Sequence, residues 1–69
     1  MATLRELRLQ ARLSVSRLAR LADVDRQAVV RAERGEPVRD VTAYAIVVTL
    51  ARVLQRDIKL ADVDGLNIL

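Results

Sequence analysis

The chain has 69 residues, which suffice for one small domain that buries about 60% of the surface its unfolded form exposes. Cysteine and histidine are absent and Tyr44 is the only aromatic residue, which argues against disulfides, imidazole or thiol catalysis, most zinc sites and base stacking on aromatic platforms. The net charge of +3 is one-sided, because nine arginines and five acids give residues 1–39 a charge of +4, and this excess favours a polyanionic partner.

The N-terminal segment predicts two short helices. Thr3 and Glu6 have the spacing of a capping box, and the helix that follows is expected over residues 4–12, with one apolar face formed by Leu4, Leu7 and Ala11. Ser14 is a good N-cap for a second helix over residues 15–22. The apolar positions of that helix also recur at helical spacing: Val15, Leu18, Ala19 and Ala22.

A tight turn and a third helix come next. Asp23-Val24-Asp25 predicts a turn with Val24 pointing inwards, and Asp25 is the expected N-cap of a helix over residues 26–34 that ends before Gly35. Val29 and Ala32 lie three residues apart and face the core. The outward stripe of this helix is polar and basic and consists of Arg26, Gln27, Val30, Arg31 and Arg34.

The fourth helix is expected over residues 41–55, after Pro37 and with Asp40 as its cap. It is apolar almost all round, which is typical of a central core helix, and Tyr44 is expected in that core with its hydroxyl near the surface. Alternatively, one of its faces joins the C-terminal tail (Leu66, Ile68 and Leu69) in a homodimer seam. Asp57 is the candidate cap of a last short helix over residues 58–63.

These elements predict an all-α fold, a compact bundle of about five short helices. We expect a single domain over residues 1–69, with its core at about 4–63 and an apolar C-terminal tail at 64–69. Two short helices joined by a three-residue turn, the second with a basic outer face, describe a helix-turn-helix. In that motif the second helix enters the major groove, where long donors and amides can reach base edges.

With these motifs the sequence resembles the lambda-repressor/Cro-like helix-turn-helix proteins, also called the XRE family. The resemblance covers about residues 4–63 and rests on Leu13-Ser14, Leu18-Ala19, Val24, Val29, Glu33-Arg34-Gly35 and Leu50-Ala51 with Leu54. It implies base contacts by Arg26, Gln27 and Arg31, and contacts with thymine methyl groups by Ala28 and Val30. The phosphate contacts that it implies are Ser14, Ser16, Arg17, Arg34 and Arg39. It also implies a structural ion pair between Arg8 and Glu33, which would fix the angle of the recognition helix.

The chain departs from this family at several positions. Val15 replaces a glutamine that touches a phosphate and braces the recognition helix, so one phosphate contact is in question. Asp23 stands where the family has a glycine in the turn. Aspartate can take this place because it tolerates a left-handed backbone. Gln55-Arg56 replaces a glycine after Leu54. The span from Gly35 to Ala51 is about three residues longer than usual, which indicates an extra helical turn or a longer loop.

We therefore expect a sequence-specific regulator of transcription that binds double-stranded DNA, most simply a repressor that acts as a homodimer on a near-palindromic operator. The alternative is a protein-interaction module, antitoxin-like or a regulatory partner, that uses the same fold with weak or no DNA binding. No enzymatic activity, metal or cofactor is expected. Because the sequence shows neither a secretory signal nor an apolar run approaching 18 residues, we expect a cytoplasmic protein. The expected regulator role suits a nucleoid-associated protein of a bacterium or a phage-encoded protein in a bacterial host.

Overall fold

A computed structural model describes residues 2–69 of the chain. Within this range the main elements are four α-helices, α1 to α4, at Leu4–Gln10, Val15–Ala22, Arg26–Glu33 and Asp40–Leu54. A 3-10 helix at Leu60–Asp62 follows them. Two short strands, β1 and β2, lie at Ala2–Thr3 and Val63–Asp64.

Each of the first three helices has the predicted N-cap, whose side chain accepts a hydrogen bond from a backbone amide in the first turn. The Thr3 hydroxyl accepts a hydrogen bond from the Glu6 amide at 3.2 Å, and the Glu6 carboxylate accepts one from the Thr3 amide at 2.8 Å, which completes the capping box. Hydrogen bonds from the Thr3 amide and hydroxyl lower the pKa of Glu6 below its ordinary value. Ser14 accepts from the amide of Arg17, and Asp25 accepts from the amide of Gln27.

Four helix boundaries differ from the prediction. The first helix ends at Gln10 because Arg12 has a left-handed backbone with φ 59°, which stops the helix before residue 12. The fourth helix begins at Asp40, since Arg39 has the extended backbone of an N-cap and Asp40 already lies in the first turn. It ends at Leu54 because Gln55 is left-handed, with φ 54°. The third helix ends at Glu33, one residue early.

The expectation of about five helices is wrong, since residues 2–69 form four α-helices. The segment predicted as a fifth helix folds only into the 3-10 helix, whose first turn is closed by a hydrogen bond from the Lys59 amide to Asp62. Asp57 does not cap it. The helix ends because Val63 is extended and pairs with Ala2, in a parallel ladder that joins β1 to β2.

The fourth helix is the centre of the hydrophobic core. Its buried side includes Ile46, Val47 and Leu50, which pack with Leu18 of α2 and Val29 of α3. A cluster of this kind holds α2 and α3 against one common helix, which fixes their mutual orientation. The prediction of a core helix is thereby confirmed.

Part of the fourth helix is nevertheless exposed. Tyr44 is 62% exposed and Val41 is 68% exposed, so the expectation that Tyr44 lies in the core is wrong. The reason is its position, because residues 43, 46, 47 and 50 occupy the inward face and Tyr44 falls outside that face.

The C-terminal tail lies against the segment that precedes α4. The Val38 amide donates to the carbonyl of Asn67 at 3.0 Å, and the Leu69 amide donates to the carbonyl of Val38 at 2.9 Å. Val38 and Leu66 are buried and half-buried, whereas the Leu69 side chain is exposed. The tail is thus anchored through its backbone and keeps its last apolar side chain at the surface.

Candidate nucleic-acid interface

The turn between α2 and α3 is built on Asp23 and Val24. Asp23 adopts the left-handed conformation, with φ 58°, that ends α2. The Val24 amide then donates to the carbonyl of Ala19 at 3.0 Å, and its half-buried side chain packs against the core. Asp25 follows directly as the N-cap of α3. The turn therefore brings the start of α3 back beside α2, the arrangement of a helix-turn-helix.

The third helix has a buried face and an exposed face. Ala28, Val29 and Ala32 are buried, whereas Arg26, Gln27 and Arg31 are all exposed. Helical spacing places Gln27 and Arg31 away from Val29, and Arg26 lies at the edge of the exposed face. Val30 is half-buried, and helical spacing places it between Arg26 and Gln27.

Ala28 belongs to the buried face of α3. The resemblance assigns this residue to a thymine methyl group, yet only 5% of it is exposed, because it lies beside Val29 and one helical turn before Ala32. Its methyl group is therefore almost covered and reaches the surface only at the wall of a groove beside Arg31, so a contact with a thymine methyl group is not supported.

The first turn of α2 lies next to the first turn of α3. Arg26 donates from Nε to the hydroxyl oxygen of Ser16 at 3.1 Å, although the two residues are ten positions apart. Ser14, the N-cap of α2, and Arg17 in its first turn are exposed as well. Three of the residues that the resemblance assigns to phosphates thus lie beside one that it assigns to bases. The contact between Ser16 and Arg26 was not predicted from the sequence. The sequence indicates only that the helix-turn-helix motif brings the starts of α2 and α3 together.

Two further arginines lie beyond the end of α3. Arg34 is exposed and stands 3.8 Å from Glu36, a surface pair that is strongly screened by solvent. Arg39 is exposed at the start of α4, and it lines a surface groove of about 480 Å³ together with Arg31 and Leu69. The structure therefore brings Arg31 and Arg39 to one groove.

Arg8 and Glu33 form an ion pair between α1 and α3. The Arg8 side chain donates from Nε and Nη2 to the two carboxylate oxygens of Glu33, at 2.5 and 3.2 Å, and from Nη1 to the carbonyl of Leu13 at 3.0 Å. Each side chain is 12% exposed. Each of the three nitrogens of Arg8 donates a hydrogen bond within the domain, so this side chain ties α1 and the segment after it to α3.

Within residues 2–69, no group of three or more acidic side chains is arranged to hold a metal ion. In the same range no helix is both long enough and apolar enough to span a membrane.

Comparison with known proteins agrees with this geometry. A protein-family model described as a helix-turn-helix domain matches residues 2–63, nearly the whole chain. Searches of curated proteins and of solved structures found no match. Domains of this class bind DNA by placing their second motif helix in the major groove. The chain belongs to the helix-turn-helix domain family.

Proposed function

We propose that this chain is a sequence-specific regulator of transcription of the lambda-repressor/Cro-like type, and that α3 is its recognition helix. The observation that carries the proposal is the exposure of Arg26, Gln27 and Arg31 on α3, beside the buried face that Ala28, Val29 and Ala32 form. Arginine can donate two hydrogen bonds to O6 and N7 of guanine, and glutamine can bind N6 and N7 of adenine. Half-buried Val30 adds an apolar group that suits a thymine methyl.

Phosphate contacts would flank this helix on two sides. Ser14, Ser16 and Arg17 are exposed in the first turn of α2, where the free amides and the helix dipole favour an anion. Arg34 and Arg39 are exposed beyond the end of α3. Such contacts orient the recognition helix and carry no sequence information by themselves.

The regulator would act as a homodimer on a near-palindromic operator, with half-sites about 34–36 Å apart. The exposed apolar side chains of α4 and the tail support this part of the proposal, since Val41, Tyr44 and Leu69 are each more than 60% exposed. Occupation of a promoter would then repress transcription without any chemistry, in the cytoplasm of a bacterium. If α4 forms the seam, Tyr44→Glu would shift the mass measured by light scattering from dimer to monomer.

A second candidate function is a protein-interaction module with weak DNA binding. It is favoured by an apolar groove of about 560 Å³ between α4 and the 3-10 helix, lined by Tyr44, Val48, Ile58 and Leu60 among others. The two functions differ in their response to salt, because binding through phosphates weakens steeply as salt rises and binding through an apolar groove does not.

Selection of bound fragments from random duplex DNA tests the proposal. The wild-type chain should enrich one two-fold symmetric sequence. The variant Arg26→Ala/Arg31→Ala should lose that enrichment, whereas Arg5→Ala/Arg52→Ala removes the same charge from exposed positions on α1 and α4 and should keep it. Failure of the wild-type chain to enrich any sequence, or enrichment of the same sequence by the α3 variant, would contradict the proposal.

A further inference from the structure

We propose that Ser16 is a positioning residue, which holds Arg26 so that its two terminal nitrogens, Nη1 and Nη2, face a guanine. This inference rests on the proposed function and adds a specificity determinant to it. Its basis is the hydrogen bond of 3.1 Å from Arg26 Nε to the Ser16 hydroxyl oxygen. Both residues are exposed, so the contact lies on the surface that would meet the duplex.

The hydrogen bond restricts the way in which Arg26 can bind a base. A guanidinium group offers two forks of donors, one formed by Nε with a terminal nitrogen and one formed by the two terminal nitrogens. The Ser16 hydroxyl accepts the hydrogen bond from Nε, so the fork that includes Nε is not available to a base. The fork of Nη1 and Nη2 stays available, and it can donate to O6 and N7 of one guanine.

The neutral character of Ser16 matters as much as its position. A carboxylate at this place would cancel the charge of Arg26, whereas a hydroxyl orients the side chain and leaves the full positive charge for the polyanion. Within the part of the chain that the structure describes, Arg26 forms no salt bridge. The nearby carboxylate of Asp25 is engaged with the amide of Gln27 instead.

The same hydroxyl can link the backbone contact to the base contact. A serine hydroxyl has one hydrogen to donate and two lone pairs to accept. When it accepts from Arg26, its own hydrogen remains free for a phosphate at the first turn of α2. The energies of the Ser16 contact and the Arg26 contact are therefore expected to be coupled and not additive.

A double-mutant cycle on the selected operator tests this coupling. Ser16→Ala should weaken binding about fivefold, the size of one ordinary hydrogen bond, and Ser16→Thr should restore it. In the Arg26→Ala background, Ser16→Ala should have less than half of that effect. Replacement of the contacted guanine by 7-deazaguanine, which lacks N7, should reduce the effect of Ser16→Ala in the same way.

The free protein provides a second readout. The Nε hydrogen of Arg26 should exchange with water more slowly in the wild-type chain than in Ser16→Ala, as measured by nitrogen-15 NMR. Equal losses from Ser16→Ala in both backgrounds would overturn the inference alone, because Ser16 would then act only through a phosphate. A wild-type chain that enriches no duplex sequence would overturn the proposed function and this inference with it. Thermal melting of each variant identifies any loss of folding.

Discussion

Arg8 binds both carboxylate oxygens of Glu33 and thereby joins α1 to the last turn of α3. A third hydrogen bond, to the carbonyl of Leu13, leaves no nitrogen of Arg8 unused. The pair is 88% removed from solvent on each side, since each side chain is 12% exposed. An ion pair at this depth gains little net stability over an apolar pair, so its main effect is on the orientation of α3.

Loss of one partner of this pair should be costly. Glu33→Ala leaves the Arg8 charge without its partner in a largely buried place, and we expect the free energy of unfolding to fall by about 3 kcal/mol. Urea unfolding followed by circular dichroism at pH 7 measures this change.

The matched control is Glu36→Ala, which removes the same charge from an exposed pair and should change the stability by less than about 0.5 kcal/mol. Arg8→Met/Glu33→Leu should recover most of the stability that Glu33→Ala loses. Equal effects of Glu33→Ala and Glu36→Ala would show that the Arg8 pair is solvated in solution.

Arg31 should read a base. Arg31→Ala is expected to weaken binding to the selected operator by about 1–3 kcal/mol and to relax the preference at one base pair. Fluorescence anisotropy with the operator and with its single-base variants measures both effects. Arg52→Ala, with the same loss of charge on α4, should retain the preference at every position. An equal loss of affinity for every duplex would show that Arg31 meets only phosphates.

Arg34 should behave differently from Arg31, since it lies beyond the end of α3. If it neutralises one phosphate, Arg34→Ala weakens binding to operator and random duplex alike, and the slope of log affinity against log salt falls by about 1. A salt titration from low to physiological ionic strength gives this slope. An unchanged slope would remove Arg34 from the proposed phosphate contacts.

Gln55 should be replaceable by glycine with a gain in stability. Its backbone is left-handed, with φ 54°, a conformation that strains residues with a Cβ atom. Gln55→Gly should raise the free energy of unfolding by about 0.5–1 kcal/mol. Gln10→Gly makes the same exchange at the last residue of α1, where the backbone is helical and the side chain accepts a hydrogen bond from Arg56, and it should lower the free energy of unfolding. Changes of the same sign in thermal or urea unfolding would contradict this assignment.

Glu6 should make the free energy of unfolding depend on pH in the acid range. The pKa of Glu6 is lowered in the folded chain, chiefly by the hydrogen bond from the Thr3 amide. Its contribution to stability is therefore complete above the ordinary pKa of 4.5 and is lost as the pH falls through the lower, folded value. The melting temperature of Glu6→Gln should thus approach that of the wild-type chain in this acid range. A constant difference at every pH would exclude the Glu6 carboxylate as the cause.

Local chemistry explains why most of the helices could be predicted. Thr3, Ser14 and Asp25 satisfy free amides at helix starts, and this need is visible in a few neighbouring residues. The outward side of α3 follows from the same helical spacing that buries Val29 and Ala32. Ala28 shares the buried side, which its position four residues before Ala32 could have indicated.

The remaining features depend on contacts between distant residues. The strands β1 and β2 have two residues each, which is too short for a periodic pattern in the sequence. Their pairing depends on the path that the chain takes after α4. The same holds for the bridge between Val38 and Ile68, and for the bond between Ser16 and Arg26. Each of these contacts depends on the angles at which the helices pack against one another. These angles cannot be inferred from a short stretch of sequence.

The anchoring of the tail on Val38 has a practical consequence for work with this protein. Leu69 lines the same groove as Arg31 and Arg39, so any residues attached after Leu69 leave the domain beside the helix that would face the duplex. A purification tag or fluorescent fusion at that end would compete with DNA for the same space. It would thereby raise the measured dissociation constant.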